Sequence, residues 1–204
     1  VLPIYEPKYI PTNEEGNIDW QKPDSETGPK FPGSDALANA SLASGVTAEF
    51  VDGLSEEYNA NWPWIVSEDG KSIQPSNAGY DYSYALLSID ITVPANKVLA
   101  FDYHSSCETN DVLGVFIGST QIGTISGATS DTYYLYATSD ESEKIYINLL
   151  FRKDQALSQY DDTIYISNIR FVEVEDVPYS MYVIRQAATG EFNSFNQLYE
   201  NYIT

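Results

Sequence analysis

The sequence holds one histidine and one cysteine, and their spacing bears on whether they could act as a catalytic pair. His104 precedes Cys107 by three residues. An odd spacing puts two side chains on opposite faces of a strand, unless the chain turns between them. A cysteine nucleophile needs its histidine within hydrogen-bond reach, and the sequence lacks the G-x-S-x-G pattern of a serine nucleophile elbow. We interpret His104 as a surface residue and Cys107 as half-buried, and expect no nucleophilic catalysis.

Aromatic residues offer a second chemistry, the stacking of sugar rings on exposed indole and phenol rings. Trp62 and Trp64 lie in the apolar segment NWPWIVS, and Tyr80 and Tyr82 lie in the polar segment GYDYSY. Large aromatic rings contribute most to the packing of a core. We therefore interpret the two tryptophans as core residues and predict that the two tyrosines are exposed. All four are candidate ligand-binding residues.

Carboxylates offer a third chemistry, the binding of a hard metal ion. One histidine and one cysteine are too few for a zinc site, and no EF-hand loop is present. Calcium prefers carboxylate oxygens. Asp161 and Asp162 directly precede the last predicted strand, and Glu49 lies on an early one. These three are candidate calcium ligands; in the alternative interpretation Asp161 and Asp162 form an ordinary solvated turn.

Net charge narrows the class of partner. The chain of 204 residues has a net charge of −20 and an isoelectric point near 4.1. Such a surface repels phosphate backbones and anionic lipids, which disfavours nucleic acid as a partner.

No apolar stretch approaches the roughly 20 residues of a membrane-spanning helix, so we expect no membrane insertion. A single cysteine forms no intramolecular disulfide, and the first residue, Val1, suggests that any signal peptide has been removed.

Alternation of apolar and polar residues is the main structural signal. In residues 84–93 the apolar set Ala85, Leu87, Ile89, Ile91 and Val93 recurs at every second position, as in a half-buried strand. A change of phase between Ile166 and Ile169 predicts a bulge near Ser167 and Asn168. About nine short strands separated by turn residues predict an all-β fold, a jelly-roll sandwich of two antiparallel sheets. The predicted strands are 46–51, 61–67, 84–93, 99–104, 112–117, 121–125, 132–137, 144–153 and 163–175.

Both ends of the sequence differ from this central part. Residues 1–45 are rich in proline and predict an extended leader or linker, with one short helical turn near residues 37–44. Residues 46–178 form the predicted sandwich. Residues 179–204 form a C-terminal segment in which Phe195, Leu198, Tyr199 and Tyr202 have helical spacing, so a short helix is predicted over residues 194–202.

Several segments follow one another in an order known from bacterial surface proteins. They are the aromatic segment Trp62-Pro63-Trp64, the strands ALLSIDITV (85–93) and LAFDYHSS (99–106), and the closing segment DDTIYISNIRFVEV (161–174). Together they resemble the MAM-like, cleaved-adhesin and choice-of-anchor group of concanavalin-like jelly rolls. The resemblance implies an extracellular, modular protein that acts in adhesion or glycan handling. It also implies a structural calcium where the first and last strands meet.

Concanavalin-like jelly rolls also include glycoside hydrolases, which are recognised by the spacing of their catalytic carboxylates. Such enzymes carry closely spaced acidic residues on one strand, as in E-x-D-x-E or E-x-D-x-x-E. This spacing points the general acid and the nucleophile at the same glycosidic bond. The sequence contains no Glu-x-Asp pair, and Glu173 and Glu175 fit a solvated strand end. We predict a non-catalytic adhesion or ligand-binding module of a bacterial cell-surface protein, part of a larger chain, with a glycan or an extracellular protein as partner. The alternatives are a carbohydrate-binding module and a glycoside hydrolase.

Overall fold

The protein is a β-sandwich of two five-stranded antiparallel sheets, which confirms the predicted fold class. The computed structural model describes residues 14–17, 20–53, 61–154 and 159–178, and the backbone of residues 185–186 and 192–193. The predicted C-terminal helix lies outside the described residues. Among the described residues, no helix has the length and apolar character needed to cross a membrane.

Sheet I has the strand order β1-β4-β9-β6-β7 and sheet II the order β2-β3-β10-β5-β8. The strands of sheet I are β1 (Ala48–Asp52), β4 (Tyr84–Val93), β6 (Val112–Ile117), β7 (Thr120–Ser126) and β9 (Glu143–Arg152). Those of sheet II are β2 (Trp64–Val66), β3 (Ile73–Pro75), β5 (Lys97–Ser106), β8 (Ala128–Ala137) and β10 (Thr163–Glu173). The remaining elements are the helix α1 (Ser34–Ser41), a 3-10 turn (Val174–Asp176) and the strands β11 (Arg185–Gln186) and β12 (Phe192–Asn193).

Period-two alternation builds the core. The five alternating apolar residues of β4, from Ala85 to Val93, are buried, and they pair in register with residues of β9, as Ile89 does with Ile147. Sheet II contributes Phe101, Ile164 and Ile166 to the same core. The burial of these apolar side chains stabilises the fold. The single cysteine is free, so no disulfide adds to that stabilisation.

Helix α1 extends the sandwich into residues that the sequence pattern assigns to the leader. It begins after Gly33, whose φ of 95° is accessible to glycine. Leu37 on α1 is fully buried in the core, and the Ser34 hydroxyl accepts a hydrogen bond from the Phe50 N–H of β1. The short helical turn predicted near residues 37–44 overlaps this helix of 8 residues, which begins and ends three residues earlier.

The predicted bulge is confirmed. The pairing of β10 with β5 shifts between Ser167 and Arg170, and Asn168 has a φ of 50°. The extra residue turns Asn168 and Arg170 towards Asp102 of β5, which accepts a hydrogen bond from each. Bulges commonly redirect side chains in this way.

A contact between the two sheets generates a stability prediction. A Cβ atom added at Gly123 of β7 would overlap the hydroxyl group of Tyr133, whose ring is stacked on Phe101 at 5.4 Å between ring centroids. Gly123→Ala should therefore lower the free energy of unfolding by about 1–3 kcal/mol. Adding Tyr133→Phe removes the overlapping hydroxyl and should recover part of the loss, measured by urea denaturation as a double-mutant cycle. Additive effects of the two substitutions would show that the overlap is not their cause.

Candidate functional site

A groove of about 840 Å³ lies on the outer face of sheet II. Its floor is formed by side chains that alternate with buried core residues and so point away from the core. One wall is the turn 67–72 between β2 and β3. The residues that line the groove include Glu68, Asp69, Lys71, Gln74, Asp102, His104 and Tyr165.

Two nearly parallel rings lie in the groove. Tyr165 of β10 and His104 of β5 are partners in the strand register, with ring centroids 5.8 Å apart and ring planes inclined by 17°. His104 Nδ1 forms a 2.6 Å hydrogen bond with the Ser130 hydroxyl of β8, which fixes the imidazole ring. Burial raises the pKa of the Tyr165 hydroxyl, and the carboxylates of Asp161 and Asp69 raise it further. The hydroxyl is therefore a hydrogen-bond donor at neutral pH.

Asp102 supplies a fixed anionic acceptor beside these rings. Its Oδ1 atom accepts hydrogen bonds from Thr132 Oγ1 at 2.7 Å and from the Arg170 guanidinium at 2.8 Å. Its Oδ2 atom accepts one from Asn168 Nδ2 at 2.8 Å. Burial raises the pKa of Asp102, but these three donors outweigh burial and hold the pKa below its ordinary value. The carboxylate is therefore ionised and held in one orientation before any ligand arrives.

The contact between Ser130 and His104 has the length expected of a nucleophile and its base. A working triad also needs a third group that orients the base. Asp102 lies on the same strand, but its hydrogen bonds go to Thr132, Asn168 and Arg170 rather than to His104. Cys107 is fully buried, and burial raises the pKa of its thiol, so it is a poor nucleophile. Cys107 was expected to be half-buried; it lies deeper than that.

The four predicted aromatic residues do not form one platform. Trp62 and Trp64 are buried as expected; Trp62 contacts the ring of Tyr80 at 4.3 Å, whereas the Trp64 indole N–H donates to Ala85 inside the sandwich. Tyr80 is 47% exposed. The predicted exposure of Tyr82 is wrong: it is 9% exposed and in edge contact with Trp20. Pattern analysis assigned Trp20 to the leader and so missed the ring that covers Tyr82. Ligand binding by these four residues stays a prediction.

The predicted calcium ligands are not brought together either. Asp162 is buried, its Oδ1 atom pairs with the Lys153 ammonium, and its Oδ2 atom accepts the Gly79 N–H. Asp161 is exposed beside Tyr165, and Glu49 lies on β1 opposite Asp90 of β4. This set does not fit a calcium ion, because a lysine already neutralises its buried member. Calcium binding itself stays a prediction.

Sequence analysis missed a second group of carboxylates at the same end of the sandwich. Ligand oxygens of Glu108, Asp111 and Asp154 lie within 4.8 Å of one another. Asp111 accepts the Asp154 N–H at 2.9 Å and pairs with the Lys153 ammonium at 3.3 Å. Lys153 is 3% exposed and thus lies between the buried carboxylates of Asp111 and Asp162. Glu108 and Asp111 lie on the turn between β5 and β6, whereas Lys153 and Asp154 follow β9 and Asp162 precedes β10, so no spacing in the sequence reveals the group.

Comparisons with known proteins identify no family. No protein-family model and no curated protein matches the chain. Similar solved structures include the secreted serine protease VesC from Vibrio cholerae, with 20% identity over 76% of this chain and a TM-score of 0.46. This chain spans only 28% of the length of VesC.

Two carbohydrate-binding modules are also similar. One is CBM51 from Clostridium perfringens GH95, solved in complex with methyl-galactose, with 13% identity over 62% of this chain and 92% of the module, at a TM-score of 0.29. The other is TmCBM61 in complex with β-1,4-galactotriose, with 7% identity over 71% of this chain and 99% of the module, at a TM-score of 0.32. Similarities this distant assign neither family nor function.

The buried ion group generates a prediction on stability. Lys153→Met removes the ammonium between Asp111 and Asp162 and should lower the free energy of unfolding by about 3–5 kcal/mol, because two carboxylates lose their buried counter-charge. The matched control is Lys144→Met, since Lys144 forms an exposed ion pair with Asp90. That variant should leave stability nearly unchanged in the same urea denaturation. Equal losses in both variants would contradict the structural role given to Lys153.

A second prediction concerns pH. Burial raises the pKa of Asp111 from 3.8 to about 6, although the Asp154 N–H and the Lys153 ammonium oppose the rise. The folded protein therefore binds a proton on Asp111 more tightly than the unfolded chain does. The resulting stabilisation is complete below pH 3.8 and is lost as the pH rises through about 6.

Asp111→Asn tests this, because asparagine does not titrate. The free energy of unfolding of wild type, relative to that of the variant, should be highest near pH 4 and should fall towards pH 7. Urea denaturation at several pH values measures the difference. A difference that rises with pH would mean that Lys153 holds Asp111 ionised.

Proposed function

We propose that this chain is a non-catalytic ligand-binding module whose ligand is an uncharged glycan held in the groove of sheet II. The observation that carries the proposal is the pair of nearly parallel rings, Tyr165 and His104, on the floor of that groove. A sugar presents a C–H face that packs on such a ring and hydroxyl groups that both donate and accept hydrogen bonds. The groove offers both kinds of surface.

The polar residues of the groove suit hydroxyl groups. Asp102 and Asp69 accept hydrogen bonds, and Gln74 both donates and accepts them. Asp102 and His104 are held by existing hydrogen bonds, so little conformational entropy is lost when a ligand binds. All the floor residues lie on strands, which hold side chains more firmly than loops do.

The charges of the groove favour a neutral ligand over an acidic one. Glu68, Asp69 and Asp102 lie in the groove, and among the residues that the structure describes Lys71 is its only cationic lining residue. Arg170 is close by, but it is paired with Asp102. The whole chain also has a net charge of −20, so the carboxylate of a uronic acid or a sialylated sugar would be repelled by the protein.

The wider biological role belongs to the same proposal. An extracellular location at a bacterial surface, attachment to a larger chain and membership of the adhesin-like group are supported by the sequence resemblance alone. Adhesion through a protein partner is the second candidate, since an acidic surface and an open groove also suit a basic peptide. The lack of an orienting carboxylate beside His104, among the described residues, supports a non-catalytic role.

A binding measurement tests the proposal. Tyr165→Ala removes one ring of the groove and should weaken binding to neutral oligosaccharides about tenfold or more, equivalent to about 1.4 kcal/mol. Tyr146→Ala is the matched control, because Tyr146 is 56% exposed and lies on β9 of sheet I. An array of neutral gluco- and galacto-oligosaccharides, with their uronic-acid counterparts, measures both variants, and melting curves check their folding.

Each outcome separates the candidates. Binding by wild type and by Tyr146→Ala, with loss in Tyr165→Ala, supports a glycan site in the groove. Equal binding by all three proteins would move the site elsewhere on the molecule. No binding to any sugar would reject the glycan and leave a protein partner as the better account.

A further inference from the structure

Two exposed tyrosines lie on turns at one end of the sandwich, and neither of them lines the groove. Tyr80 is 47% exposed and lies on turn A (residues 76–83), which joins β3 to β4. Tyr160 is 71% exposed and lies on turn B (residues 159–162), which precedes β10. Among the described residues, the only other large apolar side chains with such exposure are Val51 and Tyr146 on sheet I.

Buried polar contacts fix turn A against turn B. The Gly79 N–H of turn A donates to Asp162 of turn B, and Asp162 is paired with the buried Lys153 ammonium. Within turn A, the fully buried Asn77 donates to the Ser83 hydroxyl at 2.9 Å. The relative position of the two turns is therefore set by the same ion group that closes this end of the core.

The backbone of both turns is held in a costly conformation. The φ angles of Tyr82, Tyr160 and Asp162 are 47°, 59° and 55°. For a bulky residue a positive φ is an outlier, and each such residue costs about 1–3 kcal/mol. Three of the five non-glycine residues with positive φ in the described part of the chain lie on these two turns. Strain of this kind persists where the surroundings impose it, and it concentrates at binding sites.

The ring of Tyr80 packs against the ring of Trp62, and part of it stays exposed to solvent. The ring lies 4.3 Å from that of Trp62, at an inclination of 34°. Trp62 is 2% exposed, and its indole N–H donates to the Gln21 carbonyl at 2.9 Å. A tyrosine backed by a buried ring in this way has little side-chain entropy to lose on binding.

We propose that Tyr80 and Tyr160 form a second ligand-binding surface, the end surface, which takes the same uncharged sugars as the groove. The choice of sugar rests on the proposed function, whereas the surface itself rests on the exposure of both rings, on the packing of Tyr80 against Trp62 and on the hydrogen bond that joins the two turns. Exposed tyrosine rings pack on sugar C–H faces, and their hydroxyl groups donate and accept hydrogen bonds. With two surfaces the chain binds two short sugars at once, or one long glycan at two points.

Titration calorimetry of the whole chain with neutral gluco- and galacto-trisaccharides tests the end surface. Wild type should bind about two trisaccharides per chain. Tyr80→Ala/Tyr160→Ala should bind about one, with the remaining site abolished by Tyr165→Ala. The doubly substituted Tyr80→Phe/Tyr160→Phe protein keeps both rings and should bind as wild type does. Tyr146→Ala is the control for the loss of an exposed ring, and melting curves confirm that each variant folds.

The outcomes distinguish the end surface from the groove. Loss of one site in Tyr80→Ala/Tyr160→Ala alone supports the end surface. Two sites in wild type and in that variant would overturn the end surface while the proposed function stands. If Tyr165→Ala has no effect and Tyr80→Ala/Tyr160→Ala loses all binding, the groove is wrong and the end surface is the binding site. No binding of any trisaccharide by wild type would reject both.

Discussion

The buried ammonium of Lys153 is the interaction on which one whole end of the sandwich depends. It follows the last residue of β9 and pairs with Asp111, just before β6, and with Asp162, just before β10. The Lys153 backbone N–H donates to the Ser83 carbonyl, directly before β4. Strands of both sheets therefore meet at one cation, and the relative position of the two turns follows from it.

This cation is surrounded by more negative charge than it neutralises. Asp111 and Asp162 contact it directly, and Glu108 and Asp154 lie beside Asp111. Burial is the largest effect on the carboxyl of Asp111, and it raises the pKa to about 6 although the Lys153 ammonium opposes the rise. Replacing such a group piecemeal destabilises a protein, whereas a fully apolar replacement of the same shape often does not. We infer that the ion group specifies how the turns are arranged more than it adds to stability.

The elements that could be predicted from the sequence are those with strong local periodicity. The alternation in β4 and β9 and the phase change at Ser167 are local signals, and the structure confirms them. A short helical turn at α1 is also predicted, but not its packing on the core. That packing, the contact of Trp20 with Tyr82 and the ion group of Lys153 depend on residues far apart in the chain. The groove belongs to this second kind, because its rings come from β10 and β5 and meet only through the strand register.

Strands and turns divide the surface of this molecule into two kinds of candidate site. On β10 and β5 the register alone sets the spacing of Tyr165 and His104, and a mutation elsewhere changes it little. On the turns, the positions of Tyr80 and Tyr160 depend on strained backbone and on Asp162. Asp162 depends in turn on the Lys153 ammonium, so the end surface depends on the buried ion group, whereas the floor of the groove depends on the pairing of two strands.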